Sequence, residues 1–304
     1  MKIFELDSAS DSLKISVAAA APETAPKAVV QLVHGMCEHK ERYFPFMEYL
    51  VSRGYACVIN DHRGHGASVK SPEDLGYFYS GGYRAAVDDV HAVTLWAKER
   101  YPHLPILLFG HSMGSLIVRA YTKLYDDCIS ALVVCGSPSN NPAAGAGKVL
   151  SRLFEIFIGD HHRPKLLHKI AFGTFNSAFP DAKSPNAWVC SDPAVVEAYD
   201  ANPLCQYVFT ANGFRNLFSL VQETYSPKGW KLANPSLPVH FIAGENDPCI
   251  MSQEKFAEAV DFMRKVGYRK LSSKLYPGMR HEVLNEVGKA EVWKDVADFF
   301  DSIS

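Results

Sequence analysis

Short, nearly unbroken apolar runs recur along the chain, at residues 3–6, 13–18, 28–33, 56–60, 106–109, 131–135, 239–243 and 271–276. Most are Val, Ile, Leu and Phe in succession rather than in alternation with polar residues. That pattern is what a strand buried on both faces of a parallel sheet requires. The first two alternate more and read as an antiparallel pair at an edge. Longer amphipathic stretches lie between the runs. Residues 45–53 open on Pro45 and stop at Gly54, the usual punctuation of a helix. Residues 83–100 carry Ala86, Val90, Val93 and Ala97 on one face and end before Pro102. With 113–124, 252–266 and 290–303, the alternation predicts an α/β layered fold with a mostly parallel eight-stranded sheet flanked by helices.

The alternation breaks between Pro138 and Pro235. Aromatic residues are dense there, prolines recur at 142, 164, 180, 185, 193, 203 and 227, and no strand run appears. A wholly helical insertion at 139–235, after the sixth strand, divides a core made of 1–138 and 236–304. Such a length, 304 residues with 47% apolar, buries about three quarters of its unfolded surface and needs no disulfides. The seven cysteines include no Cys-x-x-Cys pair, which suits reduced, buried thiols rather than a disulfide framework or a zinc site. A formal net charge of −2 leaves no electrostatic footprint for nucleic acid. Charges interrupt the apolar residues at 1–7, unlike a signal peptide, and no run reaches the roughly 18 apolar residues of a membrane span. These features predict a cytoplasmic protein.

Gly110-His111-Ser112-Met113-Gly114 directly follows one apolar run and directly precedes a helical stretch. A serine at a sharp strand-to-helix turn presents its hydroxyl beyond the sheet, and small neighbours let the backbone approach. Serine needs a base, and the base an orienting acid. In this architecture both follow in the order acid then histidine, just past the carboxyl ends of later strands. The run at 239–243 leads to Asp247 and the run at 271–276 leads to His281, so these are the candidate acid and base. The next residue pair, His281-Glu282, is not a zinc motif, because Asn285 stands where a second histidine would be. Backbone N–H groups of Met113 and of Met36, in the loop after the run at 28–33, are the candidate oxyanion donors, with Gly35 permitting the turn. Cys249 reads as a buried structural thiol. No metal or organic cofactor is called for.

Read in order, four stretches resemble the monoglyceride lipase and lysophospholipase-like branch of the α/β-hydrolase family, in its bacterial form. They are His34-Gly35-Met36-Cys37-Glu38-His39-Lys40-Glu41-Arg42-Tyr43, Asp61-His62-Arg63-Gly64-His65-Gly66-Ala67-Ser68, Gly110 to Ser115, and Gly278 to Glu286. Stretches starting at Trp188 and Asn202 look like the family's cap. The resemblance implies a serine ester hydrolase acting on monoacylglycerol-like or lysophospholipid-like esters, with the acyl chain in an apolar tunnel under the cap. It also implies that Glu38 and Arg42, with Gly35 and His111, line the alcohol side. An ion pair that merely structures the loop is the alternative for Glu38 and Arg42. Two departures stand out: Leu284 where mammalian members add a histidine, and Met36 where they have a small residue. Thioester hydrolysis, acyl transfer, aminopeptidase activity and a non-catalytic receptor on the same scaffold remain as alternatives. The apolar stretch 148–158, followed by His161, His162, Arg163, Lys165 and Lys169, reads as a cap helix that also touches a lipid surface.

Overall fold

Strand order follows from where the apolar runs can be covered. The computed structural model describes residues 1–303. Eight strands, β1 (Lys2–Asp7), β2 (Lys14–Ala20), β3 (Val29–Val33), β4 (Ala56–Asn60), β5 (Ile106–His111), β6 (Ala131–Cys135), β7 (Pro238–Gly244) and β8 (Lys270–Tyr276), form one sheet. Their order is β1-β2-β4-β3-β5-β6-β7-β8. The β1–β2 and β2–β4 pairings are antiparallel, and those from β4 through β3, β5, β6 and β7 to β8 are parallel. The expected antiparallel edge pair is therefore present, and β5, the strand that runs into Ser112, is central.

The described residues form nine α-helices: α1 (Phe44–Ser52), α2 (Gly82–Arg100), α3 (Met113–Tyr125), α4 (Ala144–Phe157), α5 (Lys165–Phe172), α6 (Pro193–Ala201), α7 (Ala211–Thr224), α8 (Gln253–Lys265) and α9 (Lys289–Asp301). The apolar runs are continuous because both faces are covered. Val29, Val58, Leu108, Val134 and Phe241 pack on one side with α2, α3 and α8. Val30, Ile59, Phe109, Val133 and Ile242 pack on the other with α1 and α9. Adjacent residues of one strand thus belong to different cores, as the two-residue strand repeat dictates.

Between β6 and β7 the described chain is helical. Helices α4 and α7 pack closely on each other, and α7 also lies against α2 and α3. Its Phe214, Leu217, Leu220 and Val221 join the α2/α3 core, so α7 ties the insertion to the sheet layer. The outer faces of α4 and α5 have no such cover: Val149, Leu153, Ile156, Phe157, Leu166 and Ile170 are exposed, Phe157 to 80%.

Candidate active site

The turn at the end of β5 imposes its own geometry. Ser112 has φ +54° and ψ −121°, a conformation that L-residues adopt only under strain. Gly114 makes the turn sterically feasible, since a Cβ there would sit on the Val33 and His34 carbonyls. Ser112 Oγ lies 2.8 Å from His281 Nε2, and His281 Nδ1 lies 2.9 Å from both carboxylate oxygens of Asp247. Asp247 and His281 are buried, and Asp247 also accepts the Cys249 N–H at 2.8 Å. The three residues singled out from order and spacing are thus joined in one hydrogen-bonded chain across three strand ends. Cys249 is buried, and its burial raises the thiol pKa well above the ordinary value. Asp247, Cys249 and His281 are the one cluster of metal-type donors among the described residues, and the acid and histidine donors are already engaged with each other.

Met36 and Met113 line a cavity of about 640 Å³ together with Ser112 and His281. Met113 opens α3, so its N–H has no intrahelical acceptor. On the other side of the serine, the Gly35 N–H is bonded to Glu38 Oε1 at 3.0 Å, leaving the Met36 N–H as that loop's candidate donor. A side chain at Gly35 would collide with Glu38 and with Ser112 Cβ, so only glycine fits there. The neighbouring Cys37 has φ +53°, a second strained residue at the site.

Of the four residues expected on the alcohol side, Glu38 lines the main cavity, whereas Gly35, Arg42 and His111 do not. Arg42 and His111 border a small recess behind it, with Glu38, Glu282 and Leu284. Arg42 donates to both oxygens of Glu282, at 2.5 and 2.6 Å, and to Glu38 Oε2 at 3.1 Å. His111 Nδ1 lies 2.9 Å from Glu38 Oε1, and its Nε2 is 3.2 Å from the His281 carbonyl. The ion-pair alternative for Glu38 and Arg42 is therefore what the geometry contains. Burial alone would disfavour charge on either member of the Glu38–His111 pair. Their mutual attraction outweighs it, lowering the Glu38 pKa and raising that of His111.

Residues that the sequence reading assigned no role also converge here. Trp188 and Val189, from the insertion, line the cavity, and the Trp188 ring is 5.1 Å from the His281 ring. Glu282, Glu286 and Arg280 bracket the histidine. Their only sequence signal was membership of the Gly278–Glu286 stretch, because their partners lie far away in the chain.

Residues 24–288 match the family described as serine aminopeptidase, S33. The chain belongs to that family. A monoacylglycerol lipase of Mycolicibacterium smegmatis is 31% identical over 281 residues, covering 91% of this chain and 89% of the relative. Among solved structures, a highly thermostable carboxyl esterase from Bacillus coagulans superimposes with a TM-score of 0.90 at 26% identity, over 99% of this chain and 98% of the other. A soluble variant of monoglyceride lipase from Saccharomyces cerevisiae shares the fold, with a TM-score of 0.76 at 18% identity over 100% and 96%. The α/β-hydrolase resemblance read from the motifs is borne out, and so is the class of carboxylic-ester hydrolase.

Proposed function

We propose that this S33-family hydrolase cleaves single-acyl lipid esters, with Ser112 as nucleophile, His281 as general base and Asp247 as the orienting acid. The observation that carries this reading is the Ser112–His281–Asp247 chain at a strained elbow opening onto a large apolar cavity. Ser112 Oγ attacks the ester carbonyl while His281 Nε2 takes its proton, and Asp247 stabilises the imidazolium. The Met36 and Met113 N–H groups hold the oxyanion. Collapse expels the alcohol, which takes the proton from His281. The same histidine then activates water to release the fatty acid.

The cavity wall favours a neutral head group. Among the described residues it includes no Lys or Arg, and its two carboxylates, Glu38 and Glu282, are both paired with Arg42. A phosphate-bearing head would meet carboxylates and no free cation, so a monoacylglycerol-type ester fits better than a lysophospholipid. The same pairing argues against aminopeptidase chemistry, which needs a free acid for the substrate ammonium. Aromatic and aliphatic walls from Phe172, Phe175, Trp188, Leu217 and Phe218 suit the acyl chain. The exposed apolar faces of α4 and α5 suit peripheral contact with the lipid surface that supplies it. No helix among the described residues is long and apolar enough to cross a membrane.

The test is a panel of monoacylglycerol, lysophosphatidylcholine, acyl-CoA, amino-acid anilide and graded p-nitrophenyl esters, run on the parent and on Ser112→Ala. Monoacylglycerol should turn over fastest, and Ser112→Ala should lose both turnover and fluorophosphonate labelling while keeping its fold by circular dichroism. Labelling retained at another residue would sink the nucleophile assignment, and faster anilide cleavage would sink the ester reading.

A further inference from the structure

His281 lies in the twelve-residue connection between β8 and α9. Strand β8 is at the sheet edge, paired only with β7, so no neighbouring strand supports the far side of this loop. A connection of this length is mobile unless something else holds it. The core holds part of it, through the Asn246 N–H on the Met279 carbonyl, His111 on the His281 carbonyl, Arg42 on Glu282 and Trp293 on the Leu284 carbonyl. The rest of the hold comes from the helical insertion, about ninety residues earlier in the chain. The Glu282 N–H donates to the Val189 carbonyl at 2.8 Å, and the His281 N–H points to the Trp188 carbonyl at 3.4 Å. The Arg280 guanidinium donates to the carbonyls of Ala187 and Cys190, at 2.5 and 3.1 Å. Glu286, 1% exposed, accepts from the Ser191 N–H at 2.8 Å, from the Ser191 hydroxyl, and from the Arg280 N–H at 2.8 Å. Each flank of the histidine is thereby bonded to one short segment, residues 187–191.

We propose that residues 187–191 of the insertion form a clamp that positions His281, with Ser191 and Glu286 as its positioning residues. None of the clamp's side-chain bonds reaches Ser112 or a reacting atom, so the clamp acts through the base alone. It rests on the reading of His281 as the general base. The insertion then has two mechanical parts. The segment at 187–191 is a fixed component of the catalytic apparatus, and any opening of the cavity must take place in the α4–α5 region instead. A base held within a few tenths of an ångström is what proton transfer from Ser112 needs, and loosening it lowers the chemical step without weakening substrate binding.

Ser191→Ala removes the hydroxyl bond to Glu286 and keeps the backbone bond, and Glu286→Gln weakens all three. Both are assayed on a soluble p-nitrophenyl ester, per folded molecule, alongside Ser191→Thr, which retains the hydroxyl. The clamp predicts kcat lower by roughly tenfold with KM within about twofold. It also predicts a broadened far-downfield proton resonance of His281 Hδ1, and recovery of both in Ser191→Thr. Should Glu286→Gln fail to fold, Ser191→Ala decides. A kcat per folded molecule within about twofold of the parent in Ser191→Ala, with an unchanged Hδ1 resonance, overturns the clamp. Turnover that survives in Ser112→Ala would instead remove the reading on which the clamp rests, so the two failures are distinguishable.

Discussion

Glu38 is the residue with the most connections around the site. One buried carboxylate receives the Gly35 N–H, His111, the Tyr43 hydroxyl at 3.4 Å and Arg42, so it joins the Gly35–Met36 turn to the residue before Ser112. His111 passes the connection to the His281 carbonyl, and Arg42 passes it to Glu282. Glu38 and Glu282 offset His111 in its charged form and Arg42, so the cluster is neutral as a whole. Removing one member leaves a buried charge without its partner. Glu38→Ala is expected to destabilise the fold by about 3–5 kcal/mol, the usual cost of breaking a buried pair from one side. It should also lower kcat, because the Gly35–Met36 turn loses its anchor. Urea unfolding and steady-state kinetics on the same preparation check this. A variant with parent stability would mean that the cluster contributes nothing net. Substitution of Arg42 by Lys should also be costly, since a single ammonium cannot reproduce the two parallel bonds to Glu282.

At the scale of elements, the two halves of the insertion behave differently. Helix α4 turns Ala144, Gly147 and Ser151 inward, and those small residues let it lie close to α7. Its other face carries the exposed Val149, Leu153, Ile156 and Phe157, and α5 exposes Leu166 as well as Ile170, which also borders the cavity. Part of the basic run beside it is used internally: Arg163 donates to the carbonyls of Glu73 and Val208, and His161 bridges Asp74 and Asp160. Lys165 and Lys169 remain exposed. Phe157→Asp combined with Leu166→Asp, both outside the cavity wall, is therefore expected to lower activity on vesicle-borne monoacylglycerol several-fold while leaving a soluble short-chain ester unaffected. Equal rates of both enzymes on vesicles would show that this face is not used. The strands of the core were legible from the sequence because burial on both faces writes itself as a continuous apolar run. The grouping of Ser112, Asp247 and His281 was legible because strand ends fix where an elbow serine and its partners must stand. The helix α7 has its apolar residues in sequence at helical spacing, yet its docking on α2 and α3 depends on the path of the whole insertion. Ser191 with Glu286, and Arg42 with Glu282, were not legible at all. Ion pairs and clamps between residues 95 and 240 positions apart leave no periodic trace. That is why the sequence leaves Arg42 open between a head-group ligand and an ion pair, while the structure shows it paired with Glu282 and Glu38.

Across the whole molecule, the histidines set how stability responds to acid. His34, His62 and His65 are buried, and burial, reinforced for His34 and His62 by neighbouring histidines, lowers their pKa values, to about 3 for His62 and about 4 for His65. Their neutral rings are used structurally: the His62 N–H donates to His34 Nε2 at 3.0 Å, and His65 packs edge-on to Phe78, Tyr207 and Phe209. Unfolding returns each ring to the ordinary value near 6.5, so the unfolded chain binds more protons below that pH, and stability falls as pH drops from about 6.5. Glu38 adds to the loss at lower pH, because its lowered pKa gives stability above the usual carboxylate range that disappears as the group protonates. His111 works the other way. Its raised pKa contributes stability that is complete below 6.5 and is lost as pH rises through the folded value. His161 is raised as well, but about half exposed, so its contribution is screened. Three buried neutral rings against one buried charged ring leave a net loss between pH 6.5 and 5. His65→Phe removes one of the three titrations inside a ring of aromatic neighbours that can accept the new side chain. It should flatten the dependence of unfolding free energy on pH in that window by about 1 kcal/mol per pH unit, whatever it does to stability at pH 7. Urea unfolding at pH 7, 6 and 5 for the parent and the variant reads the slope directly. Parallel slopes would mean that His65 titrates alike in the folded and unfolded chain, contrary to its burial.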